Sequence, residues 1–277
     1  MAGLASSTIA DRLILVGCGN MGYALLRSWL ASKSVDPKHV HVVEPIAGLR
    51  ERAAQLGITV HEGPETLPDR ADLVVLALKP QVLATESPVY RRFSEQAVFV
   101  SIAAGVTIAK LVAMLGGARV IRALPNTPTA IGKGSTVIFS GDHVPRPKLD
   151  EVISLFAAGG SVHQVDNELF LDAATAISGS GPAYIFYLME CLSTAAHELG
   201  LPQDLARKLA KETVYGAGAL AMQTEDDPAE LRRQVTSAKG TTEAGLSLLT
   251  AEDELMSLIR RTTKAAFDRS KALSASA

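Results

Sequence analysis

Residues Leu13-Ile14-Leu15-Val16-Gly17-Cys18-Gly19-Asn20-Met21-Gly22 form the stretch that decides the fold. The four apolar residues predict a buried strand, and the amphipathic segment Met21–Ser32 after them predicts a helix. The glycines between them are spaced as G-x-G-x-x-G: Gly17 permits a tight turn, Gly19 leaves room for a ligand, and Gly22 lets helix and strand pack closely. Because unpaired N–H groups at a helix start attract anions, the turn predicts a site for the pyrophosphate of a dinucleotide. A glycine-rich turn without a ligand is the alternative.

Short apolar runs alternate with longer amphipathic segments up to about residue 165. The runs are RLILV, HVHVV, DLVVLAL, AVFVSIA, RVIRALP and TVIFS. Strands buried on both faces are continuously apolar, and parallel strands need crossover helices between them. Residues 1–165 are therefore predicted to be an α/β domain with a Rossmann-type doubly wound, mostly parallel sheet.

The strand signals stop near Asn167, and residues 166–277 are predicted to form an all-helical domain. Their content of Ala, Leu, Met, Glu and Lys favours helices, which we place at Tyr184–Leu199, Ala206–Met222, Pro228–Val235 and Glu252–Ser270. Thr250 and Asp253 have the spacing of a capping box for the last helix. The first helix is apolar on most of its faces and so requires burial on all sides. A thin helical domain offers too little cover, so we expect a homodimer through this domain.

The composition argues against several classes of protein. The 277 residues include 27 basic and 29 acidic ones, giving a formal net charge of −2, and only 5% are aromatic. This balance favours neither nucleic acid nor an anionic membrane as a partner. Two cysteines without metal-ligand spacing predict neither a disulfide framework nor a metal site. The N-terminal MAGLASSTIAD lacks the pattern of a signal peptide, so we expect a short disordered lead and a cytoplasmic protein.

Polar residues follow several predicted strands at the edge where open α/β sheets bind ligands. Glu44 ends the second strand, where a carboxylate accepts hydrogen bonds from the adenosine ribose and repels a 2′-phosphate, which favours NADH. Arg50 and Arg52 lie nearby and would favour NADPH. Lys79 suits the nicotinamide ribose, and Asn126 suits the nicotinamide amide. Ordinary turn residues are the alternative at Glu44, Lys79 and Asn126.

The segment Val235–Leu246, VTSAKGTTEAGL, concentrates small and hydroxyl residues between two predicted helices. Free N–H groups at a helix N-terminus bind carboxylates. Gly240 would allow a small ligand to approach closely, and Thr241 and Thr242 add hydroxyl donors. An ordinary helix cap is the alternative for this loop.

No catalytic ion pair and no Ser/His/Asp set emerges from the sequence. Hydride transfer to a substrate that already carries positive charge needs none, because the protein then supplies orientation and electrostatics. A hydroxyacid dehydrogenase, the first alternative, would need a Lys-x-x-x-Asn pair in the helical half. Lys208 is followed at that spacing by Glu212, and Lys211 by Tyr215, so neither lysine fits the Lys-x-x-x-Asn pattern. A non-catalytic dinucleotide-binding protein is the second alternative.

Six segments in order resemble the pyrroline-5-carboxylate reductase family, and the likeness runs from Leu13 to about Phe267. They are GCGNMG at Gly17–Gly22, ALKPQ at Ala77–Gln81, SIAAGV at Ser101–Val106, RALPNTP at Arg122–Pro128, SGSGPAY at Ser178–Tyr184 and VTSAKGTTEAGL at Val235–Leu246. The last two are the specific ones, because general Rossmann enzymes lack them.

The resemblance implies reduction of 1-pyrroline-5-carboxylate to L-proline with NADPH or NADH. It implies a homodimer, often assembled further into a decamer, in which the cofactor lies on one subunit and the substrate loop comes from its partner. By resemblance, the pyrophosphate lies along Val16, Gly17, Cys18, Gly19, Asn20 and Met21, and the nicotinamide half lies near Ala77, Leu78, Lys79, Pro80, Ile102, Ala103 and Ala104. The implied substrate residues are Glu168, Glu225, Ser237, Gly240, Thr241 and Thr242, with the Thr242 hydroxyl bonded to the imine nitrogen as the catalytic contact.

One pair of residues departs from the family pattern. Ala238-Lys239 stands where the family usually has Pro-Gly. Losing the proline frees the backbone, and a side chain at the glycine position restricts it if that position needs a positive φ. We expect a reshaped or more mobile loop that affects substrate affinity more than the chemistry.

Overall fold

A central sheet organises the first part of the chain. The structure is a computed structural model that describes residues 12–276, without the side chains of residues 274–276. The segment MAGLASSTIAD lies outside the described residues. The sheet has the order β3-β2-β1-β4-β5-β6-β7-β8. The strands are β1 Leu13–Val16, β2 Val40–Val43, β3 Thr59–His61, β4 Leu73–Leu76, β5 Val98–Ser101, β6 Arg119–Leu124, β7 Gly134–Ser140 and β8 Gly160–Gln164. Only β6 and β7 pair antiparallel, so the predicted Rossmann-type, mostly parallel sheet is confirmed.

Two of these strands have no counterpart among the six apolar runs. They are β3 and β8, which form the two edges of the sheet. β3 has three residues, and β8 reads Gly-Ser-Val-His-Gln with no buried position. An edge strand pairs on one side only and is less covered than a central one, so a continuous apolar run is not required there.

Helices connect the strands and then make up most of the second half of the chain. Within the described residues they are α1 Asn20–Ala31, α2 Ala47–Ala54, α3 Pro80–Glu86, α4 Ile108–Leu115, α5 Arg146–Ala157, α6 Phe170–Ala174, α7 Gly181–Glu198, α8 Gln203–Gln223, α9 Pro228–Gln234, α10 Thr241–Thr250 and α11 Glu254–Ser276. The four helices predicted in the second half correspond to α7, α8, α9 and α11.

The capping box predicted at Thr250 is wrong. The Thr250 hydroxyl donates to the carbonyl of Leu246, one turn back in its own helix. The chain then passes through a 3-10 turn in which Glu252 and Asp253 have φ values of 49° and 56°. That turn separates Thr250 from α11, so Thr250 cannot cap it.

The core lies on both faces of the sheet. Leu13 and Leu15 of β1 belong to one buried cluster, and Ile14 and Val16 belong to the other. Successive strand side chains point to opposite faces, so a strand covered on both sides must be apolar at every position. Burial of each such side chain stabilises the fold by about 1.5–3 kcal/mol. This explains why LILV is an unbroken apolar run.

The chain divides into two compact units at a point later than residue 165. The first unit runs to Gly179 and includes the chain from Ala266 onwards, and the second is Ser180–Ala265. The boundary lies later because α6 packs on the sheet: Leu171 of α6 shares a small buried cluster with Leu124 and Val137 of the sheet.

A buried hydrogen bond also attaches the end of α11 to the first unit. The Ser270 hydroxyl donates to Asp172 Oδ1 of α6 at 2.6 Å. Both residues are buried. The last helix therefore begins in the second unit and ends in the first.

The second unit carries a large exposed apolar surface. α7 has no buried residue in the single chain, and Phe186 and Tyr187 on it are both more than half exposed. On α8, Tyr215 and Met222 are exposed as well, Met222 by 84%. Exposed apolar side chains in this number are typical of a protein–protein contact surface.

Candidate active site

The glycine turn after β1 has no space for side chains at two of its positions. Gly17 has a φ of +88°, and a Cβ there would lie 2.7 Å from the carbonyl oxygen of Ala77. A Cβ on Gly22 would lie 2.3 Å from the carbonyl oxygen of Gly17. Both distances are well below van der Waals contact, so the turn and the close packing of α1 on the sheet require glycine at both positions.

Gly19 has a different role in the same turn. Among the described residues outside its chain neighbours, no heavy atom lies within 4 Å of the position that a Cβ on Gly19 would take. Gly19 is also the N-cap of α1, which has no side-chain cap, so the first N–H groups of α1 lack a capping partner. Open space beside unpaired N–H groups fits the pyrophosphate of a dinucleotide. Asn20 and Met21, the first two residues of α1, supply two of these N–H groups.

Glu44 lies at the end of β2 and braces the glycine turn. Its carboxylate accepts hydrogen bonds from Cys18 N at 2.7 Å and from Ile46 N at 3.0 Å. Glu44 is only 5% exposed, so its interpretation as an ordinary exposed turn residue is wrong. Contact between Glu44 and the adenosine ribose stays a prediction, since each carboxylate oxygen already has one backbone donor.

The two nearby arginines bind backbone carbonyls of this region. Arg50 donates to the carbonyl oxygens of Glu44 at 2.8 Å and Pro45 at 2.9 Å. Arg52 donates to the carbonyl of Cys18 at 3.0 Å, with its guanidinium 4.0 Å from the ring centre of Tyr23. These contacts tie both arginines to the backbone around the end of β2 and the glycine turn, which reduces their freedom to meet a 2′-phosphate.

The thiol of Cys18 is unreactive in this setting. Burial raises its pKa to about 11, with Arg52 acting in the opposite direction and Glu44 adding to the rise. A thiol of that pKa stays protonated at neutral pH and is a poor nucleophile. Cys18 therefore contributes its backbone to the turn rather than sulfur chemistry.

The segments predicted to lie near the nicotinamide follow neighbouring strands. Because β1, β4 and β5 are adjacent and parallel, the residues after each strand meet at one edge of the sheet. Ala77 N donates to Val16 O at 2.8 Å and Ile102 N donates to Leu76 O at 3.1 Å, which joins these segments. Lys79 is exposed and is the N-cap of α3. The structure thus brings together the turn with the segments Ala77–Pro80 and 102–104.

Contrary to the expectation, the side-chain amide of Asn126 is not free to face the nicotinamide. Its Nδ2 donates to the carbonyl of Ser178 at 3.0 Å, and its Oδ1 accepts from Ser135 N at 2.8 Å. Asn126 is buried. Its side chain therefore joins three segments of the first unit, and that structural role accounts for an asparagine here.

Glu168 also has partners that the sequence analysis did not foresee. Its Oε1 accepts hydrogen bonds from Ile108 N at 2.7 Å and from Arg122 Nη1 at 2.9 Å. The expectation of a substrate contact gave no role to Arg122, which the sequence reasoning missed. The signal was present, because Arg122 stands inside the apolar run RVIRALP, and a charge within a buried strand requires a partner.

The predicted substrate loop lies in the second unit, between α9 and α10. Gly240 is the N-cap of α10, and a Cβ there would lie 2.4 Å from the Ser237 hydroxyl oxygen. Gly240 N donates to Ser237 O at 3.1 Å, so this amide, expected to hold a substrate carboxylate, is engaged within the loop. Thr241 and Thr242 are exposed at the start of α10, which has no side-chain cap. Their N–H groups fit a carboxylate.

The two remaining residues of interest in this unit are Lys239 and Glu225. Lys239 has a φ of 57°, a left-handed conformation that strains a residue with a Cβ. Its N–H donates to Glu243 Oε2 at 2.6 Å, which ties the loop to the first turn of α10. Glu225 is exposed in the segment between α8 and α9, and its role near the substrate stays a prediction.

The described residues contain neither a cluster suited to a metal ion nor a helix suited to a membrane. Among the described residues, no group of three or more His, Cys, Asp or Glu side chains is placed to hold a metal ion. Over the same part of the chain, no helix is both long and apolar enough to span a bilayer.

The fold and the glycine turn define a class: an oxidoreductase of the Rossmann type that uses a nicotinamide dinucleotide. Two family profiles match, and together they cover most of the chain. The profile of NADP oxidoreductase, coenzyme F420-dependent, matches residues 12–105. The profile of pyrroline-5-carboxylate reductase dimerisation matches residues 168–273.

Individual relatives match most of the length of the chain. A pyrroline-5-carboxylate reductase from Pseudomonas aeruginosa is 36% identical over 265 residues, covering 95% of this chain and 96% of that protein. A pyrroline-5-carboxylate reductase from Arabidopsis thaliana is 34% identical over 263 residues, covering 94% of this chain and 95% of that protein.

Solved structures agree. The pyrroline-5-carboxylate reductase of Coxiella burnetii has a TM-score of 0.88 at 32% identity, covering 96% of this chain and 99% of that one. A Plasmodium falciparum pyrroline carboxylate reductase with NADP bound has a TM-score of 0.85 at 26% identity, covering 95% and 98%. The chain belongs to the pyrroline-5-carboxylate reductase family.

Proposed function

We propose that this protein reduces 1-pyrroline-5-carboxylate to L-proline with NADPH or NADH, as the last step of proline biosynthesis. The observation that carries the proposal is the match of relatives of one activity over about 95% of the chain. Two features of the structure support it: the open space at Gly19 fits a dinucleotide, and the uncapped start of α10 fits a carboxylate.

The reaction adds a hydride and a proton across the C=N bond of a cyclic imine. When bound, NAD(P)H supplies the hydride to the imine carbon. Backbone N–H groups at Thr241 and around Ser237 hold the substrate carboxylate, and the Thr242 hydroxyl hydrogen-bonds the imine nitrogen. A hydroxyl is too weak an acid to protonate that nitrogen at neutral pH, so the proton comes from solvent or arrives with the substrate. Thr242 therefore acts by orientation.

The proposed preference between NADH and NADPH depends on the side chains at the end of β2. A carboxylate at Glu44 would repel a 2′-phosphate bound beside it, which supports a preference for NADH. Arg50 and Arg52, which would favour NADPH, already bind backbone carbonyls. We therefore propose NADH as the better substrate, with both dinucleotides accepted.

The exposed apolar surface of α7 and α8 supports a homodimer formed through the helical unit. The dimerisation profile over residues 168–273 supports the same assembly. Further association of dimers into a decamer and a cytoplasmic location complete the proposal. The substrate loop of one subunit would then serve the cofactor site of its partner.

The deciding experiment follows NADH and NADPH oxidation optically with pyrroline-5-carboxylate at saturation, and identifies the product. Substrate-dependent oxidation that yields proline supports the reductase. Dinucleotide binding without turnover on any cyclic imine would instead favour a non-catalytic protein, and turnover of a hydroxyacid would favour the dehydrogenase alternative.

A Thr242→Ala variant tests the role of the hydroxyl. We expect kcat/KM for the imine to fall by about tenfold to a hundredfold, the cost of one lost hydrogen bond. Thr242→Ser keeps a hydroxyl and is the matched control, so it should retain most of the activity. Unchanged kcat and KM in Thr242→Ala would defeat this role.

A further inference from the structure

One oxygen of Glu168 joins two segments that are distant in sequence. Glu168 Oε1 accepts from Ile108 N at 2.7 Å and from Arg122 Nη1 at 2.9 Å. The Arg122 side chain is 6% exposed and that of Glu168 is 26% exposed. All three residues belong to the first unit. The carboxylate is therefore held inside the fold by both a peptide N–H and a guanidinium.

The loop between β5 and α4, residues 102–107, lies between these two contacts. Ile108 is the first residue of α4, at one end of the loop. At the other end, Ser101 of β5 is in register with Arg122 of β6. A single carboxylate thus links one end of the loop directly to Arg122 of β6, the strand neighbour of the residue at the other end. This loop contains Ile102, Ala103 and Ala104, which are expected near the nicotinamide.

The loop packs Ala103 and Val106 into the core, but its middle makes few hydrogen bonds. Gly105 turns with a φ of +73°. Within the described residues, the structure records no hydrogen bond donated by the N–H groups of Ala104 or Gly105. The loop is held near its start by the hydrogen bond from Ile102 N to Leu76 O of β4 and near its end by Glu168, whose carboxylate is the side-chain anchor at Ile108.

A carboxylate suits this place electrostatically. The start of α4 carries the positive end of a helix dipole, and Arg122 carries a full positive charge. Among the described residues, Arg122 Nε is buried without a hydrogen-bond partner, and Glu168 forms an ion pair with the Nη1 of this arginine. Removing the carboxylate would leave a buried cation uncompensated, which is strongly unfavourable.

We propose that Glu168 is a positioning residue for hydride transfer: it holds the loop 102–107 against β6 and so places the nicotinamide side of the dinucleotide site, without touching the substrate. The proposal rests on the proposed function in one respect, namely that this loop faces the nicotinamide. In this proposal Glu168 acts by positioning the cofactor, whereas the resemblance implied that Glu168 contacts the substrate.

Two substitutions at Glu168 distinguish the loss of the hydrogen-bond acceptor from the loss of the negative charge. Glu168→Gln keeps an oxygen that can accept from Ile108 N but removes the charge that compensates Arg122, and Glu168→Ala removes both. We expect NADH and NADPH affinity, measured by direct titration, to fall in the order wild type, Gln, Ala. We expect kcat in Glu168→Ala to fall by about tenfold to a hundredfold through misplacement of the reacting groups. The KM for pyrroline-5-carboxylate at saturating dinucleotide should stay within about twofold of the wild-type value.

The variant Glu168→Gln/Arg122→Met tests the electrostatic part. It removes the buried cation together with the charge, so dinucleotide affinity should recover relative to Glu168→Gln alone. Asp150→Asn is the matched control, because Asp150 forms an exposed ion pair with Arg146 on α5. It should leave affinity and kcat unchanged. Thermal melting and sedimentation show which variants remain folded and assembled, and Glu168→Gln carries the test if Glu168→Ala does not fold.

Two results would overturn the proposal. A raised KM for pyrroline-5-carboxylate with unchanged dinucleotide affinity would mean that Glu168 contacts the substrate. A lower melting temperature with unchanged affinity and kcat would mean a role in stability alone. Failure of the proposed function is separate: a wild-type protein that binds dinucleotide but reduces no imine would still give the ranking of dinucleotide affinities.

Discussion

The backbone N–H of Cys18 donates to the carboxylate of Glu44 across 2.7 Å, joining the end of β2 to the glycine turn. The two residues are 26 positions apart in sequence and are both buried. A buried peptide N–H requires a hydrogen-bond partner, and Glu44 supplies it, so this contact helps to fix the shape of the glycine turn.

Replacing Glu44 should therefore affect stability and cofactor binding together. Glu44→Ala leaves Cys18 N without a partner, which costs about 1–3 kcal/mol of unfolding free energy. Affinity for both dinucleotides should fall, and Glu44→Gln, which keeps one acceptor oxygen, should be intermediate. Denaturant unfolding and fluorescence titration measure the two effects. Glu62→Gln, at the exposed ion pair with Arg50, is the control. Equal stability of Glu44→Ala and wild type would contradict a stabilising role for the hydrogen bond between Glu44 and Cys18 N.

Gly19 and Gly22 should respond oppositely to the same substitution. Gly19→Ala meets open space, so the protein should keep its melting temperature and lose dinucleotide affinity by about tenfold or more, because the methyl group occupies the ligand's place. Gly22→Ala collides with Gly17 O and should lower stability by about 1–3 kcal/mol through overpacking. Thermal melting and NADH titration check the pair. Unaffected binding in Gly19→Ala would place the pyrophosphate elsewhere.

Lys239 should be strained in the substrate loop. Its φ of 57° costs about 1–2 kcal/mol for a residue with a Cβ, and glycine avoids that cost at the price of a more flexible unfolded chain. Lys239→Gly should accordingly be more stable than Lys239→Ala, which keeps the strain, by up to about 1 kcal/mol. Equal stability of the two variants would argue against the left-handed conformation.

The same two variants test the charge of Lys239. If its cation attracts the substrate carboxylate, both should raise the KM for pyrroline-5-carboxylate, and the difference from wild type should shrink as salt is added. A KM that changes only in Lys239→Gly would instead point to loop mobility.

The histidine pair on β2 and β3 should make stability fall in acid. His41 Nδ1 lies 3.0 Å from His61 Nε2, and His61 Nδ1 lies 2.7 Å from the Thr66 hydroxyl. Burial lowers the pKa of both rings, and for His41 the neighbouring His61 and His39 lower the pKa further. The folded state therefore binds fewer protons than the unfolded chain, in which a histidine has a pKa of about 6.5.

The sign of the pH effect follows from this. The contribution of the pair is fully present above about pH 6.5 and is lost as the pH falls below that value towards the lowered pKa values. Denaturant unfolding at about pH 7.5 and about pH 5 measures the loss. His41→Gln should reduce the difference, and His143→Gln, at an exposed position before α5, should leave it unchanged. A wild-type stability that does not change over this range would refute the prediction.

A charge on the apolar face of α7 should disrupt the assembly. Phe186 is 60% exposed in the single chain, and burial of a glutamate at that place in a partner interface is costly. Phe186→Glu should sediment as a smaller species, and it should lose activity if, as proposed, the substrate loop of one subunit serves the cofactor site of its partner. Arg27→Glu, at an exposed position of α1, is the control. A wild-type protein that is monomeric at working concentration would contradict the dimer.

The sequence by itself determined the elements whose physics is local. The run LILV and the glycines after it specify a buried strand, a tight turn and a helix within ten residues, so the dinucleotide turn could be predicted from spacing alone. The continuous apolar runs predicted the central strands, because burial on both faces leaves no polar position. The departure at Ala238-Lys239 also directed attention to a positive φ, which the structure places at Lys239.

Only the tertiary structure decided which polar side chains meet. Asn126 binds Ser178 and Ser135, Glu44 binds Cys18, and Glu168 binds Arg122. The edge strands β3 and β8 and the place of α6 in the first unit also became clear only there. The physical reason is that such contacts join residues brought together by strand order and helix packing, and a side chain's available partners are not encoded in its own neighbourhood along the chain.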